Sequence, residues 1–164
     1  MFECLSYNLY KYMNLNRRRN KIFSDEQLRL ISRQMCKGLK YMKNMQVIHC
    51  DMKPENVLFT NEYFNKVKII DFGASCEDCK SGFFYVQSRY YRAPEIVLGI
   101  EYDNEVDMWS LGCIIYELIT GSPLFPARDE NELLEYFIVT MGHIPEYLLQ
   151  HAKKYKQFFS KPGG

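Results

Sequence analysis

The 164-residue sequence is short of three things: net charge, long apolar runs, and a partner for its one Cys-x-x-Cys. Lys and Arg number 21 against 20 Asp and Glu, a formal net charge of +1. That balance leaves no electrostatic footprint for nucleic acid or a membrane surface, and neither is expected as a partner. The one basic run, Arg17-Arg18-Arg19 with Lys21, sits beside asparagines and reads as a solvated loop. No apolar run approaches the ~20 residues that cross a bilayer. The N-terminus has no charged-then-apolar export signal. An intracellular address, cytoplasm or nucleus, is the expectation. Cys76-Glu77-Asp78-Cys79 would need a second ligand pair to hold zinc, and the other cysteines, 4, 36, 50 and 113, are scattered. Reduced thiols are expected, with Cys36 and Cys113 as small buried residues of helices.

What is present suits a folded domain: 47% of residues are hydrophobic and 15% aromatic. Ser24-Asp25-Glu26-Gln27 has the form of a capping box. Leu28, Ile31, Met35, Leu39 and Met42 follow at steps of three and four, so the pattern predicts one amphipathic helix ending near Asn44. A shorter helix is expected over Leu9–Met13. Val57–Thr60 and Lys66–Ile70 read as strands of a hairpin, and Gly73–Arg92 as a long loop. Val106–Thr120 is apolar nearly all round, which predicts a buried helix started by Asp103 or Asn104 and stopped by Gly121. Glu130–Met141 predicts a further helix with Leu133, Leu134, Phe137 and Ile138 on one side. The expected class is α+β, mostly α, with a small β-hairpin.

Three short motifs carry the chemistry. "VIHCDMKPENVLF" (47–59) places Asp51, Lys53 and Asn56 on one short loop ahead of a strand. Asp71-Phe72-Gly73 puts a second carboxylate where the next strand ends, and Ala93-Pro94-Glu95 follows. Phosphoryl transfer requires such a set: one carboxylate to orient a hydroxyl and take its proton, another with an amide oxygen for Mg²⁺, and a cation for the phosphate. An isolated Asp-Phe-Gly is a weak signal; the three in this order and spacing are a strong one.

In these motifs the sequence resembles the C-terminal, helical lobe of a protein kinase. The resemblance implies a kinase fold, ATP with Mg²⁺ as cofactor, and protein substrates. It implies Asp51 as catalytic base, Lys53 on the transferred phosphate, and Asn56 and Asp71 as Mg²⁺ ligands. Glu3 to Leu5 resembles the hinge that holds adenine, so Glu3 and Leu5 are nucleotide-binding candidates, with Leu58 packing under the ring. Asp107 resembles the anchor of the catalytic-loop backbone, and Glu95 closes the activation segment as a second structural anchor.

Most kinases carry Arg between that His and Asp; here it is Cys50. His-Cys-Asp, "YVQSRYYRAPEIVLG" (85–99) and "SYNLYKYM" (6–13) resemble the dual-specificity tyrosine-regulated kinases, with the homeodomain-interacting kinases as the sister alternative. That family implies serine/threonine kinase activity, with autophosphorylation at the position of Tyr85. Arg89 and Arg92 would receive the phosphate, and Arg92 belongs to the loop that sets substrate preference. The family's earlier loop tyrosine is Phe83 here. If the two loops meet as in kinases, a Cys50–Cys76 disulfide is a further expectation. Residues 1–164 then amount to a partial kinase domain, from the hinge to the helix after the central buried one. The N-terminal lobe with its glycine-rich loop and the last helices lie outside this match. The segment alone is expected to be inactive, and the alternative function is a non-catalytic protein-binding module.

Overall fold

The computed structural model describes residues 5–18, 22–77 and 85–159. Its elements are α1 (Leu9–Asn16), α2 (Asp25–Asn44), β1 (Val47–Ile48), β2 (Val57–Phe59), β3 (Val67–Ile69), β4 (Cys76–Glu77), α3 (Pro94–Leu98), α4 (Glu105–Thr120), α5 (Glu130–Met141), α6 (Glu146–His151) and α7 (Tyr155–Phe158). The fold is mostly helical with two small antiparallel pairs, β1 with β4 and β2 with β3.

Helix α2 begins as the capping box requires: Ser24 Oγ accepts from the Gln27 N–H, and the Gln27 side chain accepts from the Ser24 N–H. Its stripe of Ile31, Met35, Leu39 and Met42 is buried. The same helix holds the hairpin, because Gln34 donates to the Asn65 carbonyl at 3.0 Å and accepts from the Val67 N–H at 3.1 Å. Helix α1 runs three residues further than Met13, capped by Asn8, whose side chain accepts from the Lys11 N–H at 2.7 Å.

Helix α4 departs from an all-buried helix. Met108 is 50% and Ile119 62% exposed, and with Tyr116 they line one solvent-facing stripe. The buried face instead carries three polar side chains, Asp107, Ser110 and Glu117. A helix whose polar residues point inward is organising hydrogen bonds there rather than only filling volume. Asp103 accepts from the Glu105 N–H at the helix start, while Asn104 donates to the Val47 carbonyl at 2.7 Å. Gly121 ends the helix at φ +76, a left-handed conformation that suits glycine. Cys36 is exposed, contrary to expectation, because its position on α2 falls outside the Ile31–Met35–Leu39–Met42 stripe.

Short elements arise among the described residues of the stretch read as a loop. Strand β4 pairs Cys76 with Ile48, and Arg89–Tyr91 forms a 3₁₀ turn. Among the described residues no helix is long and apolar enough to cross a membrane.

Candidate active site

The site assembles on the loop between β1 and β2. Strand β1 leads into His49 and Cys50, and both of their backbone N–H groups donate to the Asp107 carboxylate, at 2.7 and 3.0 Å. Cys50 sits at φ +62, a region a side chain seldom adopts, so the clamp from α4 holds a strained turn in place. Burial pushes the Asp107 carboxyl above its ordinary value, and the two N–H groups pull it part of the way back. His49 is fully buried; its Nε2 lies 2.9 Å from the Ile70 carbonyl, and its ring meets Phe72 edge-on.

Asp51 emerges from that turn. Lys53 Nζ donates to Oδ2 at 2.6 Å, Ser88 Oγ donates to Oδ1 at 2.7 Å, and Asn56 Nδ2 donates to the Asp51 carbonyl at 2.8 Å. Burial acts to raise the Asp51 carboxyl, but the bonds from Lys53 and Ser88 and the lysine's charge outweigh it. The group is held below the ordinary carboxylate range and is ionised at neutral pH.

Ser88 carried no assigned role on sequence, although it stands in the quoted Gln-Ser-Arg. It reaches Asp51 because Gln87, at φ +66, is buried and fully used. Its amide donates to the Val106 carbonyl and to Ser110 Oγ, and its oxygen accepts from the Ala93 N–H. Sequence periodicity carries no signal of such a loop-to-helix tie.

Asn56 and Asp71 lie on neighbouring strand ends, joined by the Ile70 N–H to Asn56 carbonyl bond at 2.9 Å. Asn56 commits its Nδ2 to Asp51, and its Oδ1 accepts no hydrogen bond among the described residues. Asp71, at φ +65 and exposed, has among the described residues only a 3.4 Å contact from the Gly73 N–H. Two oxygen donors with capacity to spare suit Mg²⁺, which keeps waters and phosphate oxygens for its remaining positions. Among the described residues no cluster of three or more His, Cys, Asp or Glu side chains could hold a metal.

Segment 5–8 runs along β2: the Ser6 N–H donates to the Phe59 carbonyl, the Phe59 N–H to the Tyr7 carbonyl, and Asn8 bridges Leu58. Leu5 and Leu58 are both half-buried along this edge. Glu3 and Phe83 lie outside the described residues. Beyond Ser88, the Tyr85 ring lies over Arg92, 4.3 Å from the guanidinium carbon, and is 68% exposed. Hydrogen bonding and charge from Arg92, then Arg89, hold its phenol below its ordinary value. Arg89 donates to the Arg128 carbonyl through Nη1, and its buried Nε has no partner among the described residues. The half-buried Glu95 carboxylate likewise has no partner among them.

A cleft of about 500 Å³ opens beside Lys53 and Ser88, lined also by Tyr10, Arg17, Glu55 and Glu117. Glu117 accepts from the Tyr91 hydroxyl at 2.7 Å, while Glu55 Oε2 is buried with no partner among the described residues.

The cysteines depart from the all-thiol expectation. Cys76 is disulfide-bonded, whereas Cys36, Cys50 and Cys113 are free. Cys50 Sγ lies 3.5 Å from Cys76 Sγ without a bond between them. The loops do meet, but the Cys50–Cys76 disulfide is not formed. Burial, reinforced by the charge of Asp107, pushes the Cys50 thiol up to about 12, and burial does the same to Cys113, also to about 12. Since the thiolate is the nucleophile, iodoacetamide at neutral pH is expected to label Cys36 and spare Cys50 and Cys113 in the folded chain. Peptide mapping by mass spectrometry reads this, and rapid labelling of Cys50 would contradict the burial.

The protein kinase domain family matches residues 1–161. Relatives include a probable dual specificity protein kinase YAK1 homolog of Encephalitozoon cuniculi, 43% identical over 162 residues, which are 99% of this chain and 40% of that protein. The dual specificity protein kinase YAK1 of Saccharomyces cerevisiae is 42% identical over 161 residues, 98% of this chain and 20% of that protein. The dual specificity tyrosine-phosphorylation-regulated kinase 3 of Mus musculus is 41% identical over 162 residues, 99% of this chain and 27% of that protein. The chain therefore spans well under half the length of these relatives.

Proposed function

The chain belongs to the protein kinase domain family, and from that premise we propose that it is the C-terminal lobe of an intracellular serine/threonine kinase of the dual-specificity tyrosine-regulated kind. Its reaction is transfer of the γ-phosphate of ATP to protein hydroxyls. The observation that carries this reading is the ionised Asp51 carboxylate, held from one side by Lys53 and from the other by Ser88.

Asp51 orients the substrate hydroxyl and accepts its proton; Lys53, already on the carboxylate, meets the charge of the phosphate in flight. Asn56 Oδ1 and Asp71 would hold Mg²⁺, which would supply positive charge to the phosphate oxygens. Leu5 and Leu58 border the adenine along the edge where segment 5–8 meets β2, and Glu3, outside the described residues, is a further nucleotide-binding residue. The peptide substrate enters the cleft beside Ser88, where the Glu55 carboxylate, whose Oε2 has no partner among the described residues, and Glu117 favour a basic side chain near the phosphorylated residue. Catalysis requires a glycine-rich N-terminal lobe over the phosphates.

Tyr85 is the activation-loop phosphosite. It is exposed, it packs against one guanidinium, and a second arginine nearby has a buried donor with no partner among the described residues, an arrangement able to receive a phosphate in charge-assisted bonds. Mass spectrometry of the intact protein from its own cells is expected to find phosphate on Tyr85, lost in Asp51→Asn. An unmodified Tyr85, or phosphate that persists in Asp51→Asn, contradicts autophosphorylation.

A further inference from the structure

Among the described residues, three ion pairs have an exposed member, and such pairs contribute little. Of the remaining three, one is the most deeply buried. Arg92 Nη1 donates to Glu130 Oε1 at 3.0 Å, and the two side chains are only 4% and 15% exposed. The other oxygen of the same carboxylate lies 3.5 Å from Lys154 Nζ. Glu130 opens α5 directly after its cap, Asp129, and the Lys154 N–H donates to the Leu98 carbonyl at the end of α3. One carboxylate thus joins three stretches that are far apart in sequence.

Arg92 has further duties. Its Nε donates to the Val86 carbonyl at 3.0 Å, its Nη2 to the Gln87 carbonyl at 2.8 Å, and its plane lies against the Tyr85 ring. A guanidinium is flat, with donors in fixed directions, so whatever fixes its plane also fixes the carbonyls and ring it touches. The Gln87 peptide continues into Ser88, which donates to Asp51. Glu130 is the one acid in contact with Arg92 among the described residues.

We propose that Glu130 is a positioning residue: by holding Arg92 Nη1 it fixes the guanidinium against Tyr85 and the 86–88 peptide that brings Ser88 to Asp51. What this positioning serves rests on the kinase reading; the positioning itself can be measured without catalysis.

The test is the titration of the Tyr85 phenol in the full chain, followed by NMR of tyrosine labelled at the ζ carbon and assigned with Tyr85→Phe. Arg92 and Arg89 hold this phenol below its ordinary value. Deleting a nearby negative charge while Arg92 stays in place lowers a phenol further or leaves it alone. Freeing Arg92 to swing away raises it. Glu130→Gln is expected to raise the Tyr85 midpoint toward the ordinary tyrosine value, while Lys154→Met, which removes only the outer ion pair, leaves it unchanged. A Tyr85 midpoint that is unchanged or lower in Glu130→Gln overturns the proposal. So does an equal rise in Lys154→Met, which would mean general loosening. If Glu130→Gln does not fold, Glu130→Asp, with its shorter reach, is read by the same criterion.

Discussion

Asp107→Ala is expected to lower the melting temperature of the chain by on the order of 10 °C. The substitution strips the acceptor from two N–H groups, those of His49 and Cys50, in a turn where both residues are fully buried. Each orphaned donor costs about 1–3 kcal/mol, against a whole-domain stability of about 5–15 kcal/mol. At roughly 2–4 °C per kcal/mol for a chain of this size, two donors together give a shift of that order. The strained Cys50 turn then loses its clamp from α4 and keeps only the Gln87 N–H on the Cys50 carbonyl and the His49 ring contacts, so Asp51 is held less firmly. Asp107→Asn keeps one acceptor oxygen and should cost about half as much. Thermal unfolding by circular dichroism separates the three proteins; a melting temperature unaffected by Asp107→Ala would mean the clamp contributes nothing.

The second large effect concerns the cation. Asp71→Asn removes the one carboxylate of the proposed Mg²⁺ pair and leaves Asn56 alone. Loss of even a supporting contact around a metal ligand costs about 10–100-fold in affinity, so loss of the ligand itself should raise the Mg²⁺ requirement for ATP-dependent transfer at least that much. Because Asp71 is exposed and makes only one long contact among the described residues, the same change should leave the melting temperature nearly untouched. An unchanged Mg²⁺ requirement would remove Asp71 from the metal site. The two variants thus separate a residue that holds the loop from one that serves the reaction.

Local signals were legible in the sequence wherever neighbours in the chain decide the structure. The Ser24–Gln27 box, the α2 stripe, the β2–β3 hairpin and the Gly121 stop all follow from contacts within a few residues. The pairing of β1 with β4 was not legible, because two-residue strands almost thirty positions apart have no periodicity to display. Helix α4 misled for a related reason. Its apolar content is high enough to hide that Asp107, Ser110 and Glu117 share the inward face, and only their long-range partners, His49, Gln87 and Tyr91, explain why. At the site, the motifs placed Asp51, Lys53, Asn56 and Asp71 in the chain. They carried no trace of Ser88 on Asp51 or of Glu130 on Arg92, since each of those bonds joins residues more than thirty positions apart.

The central claim is that Asp51 is the base of a phosphoryl-transfer site. It is tested most directly by joining this chain to a kinase N-terminal lobe and following label from γ-³²P ATP into a protein substrate, with and without Asp51→Asn. The Asn variant keeps the size of the side chain and an acceptor for Lys53 but cannot take a proton. Transfer is expected to fall about 10²–10⁴-fold, the usual worth of a positioned general base, with ATP binding unchanged. Equal transfer by the two proteins would contradict the assignment, leaving Asp51 as a loop-building residue and the chain as a binding lobe.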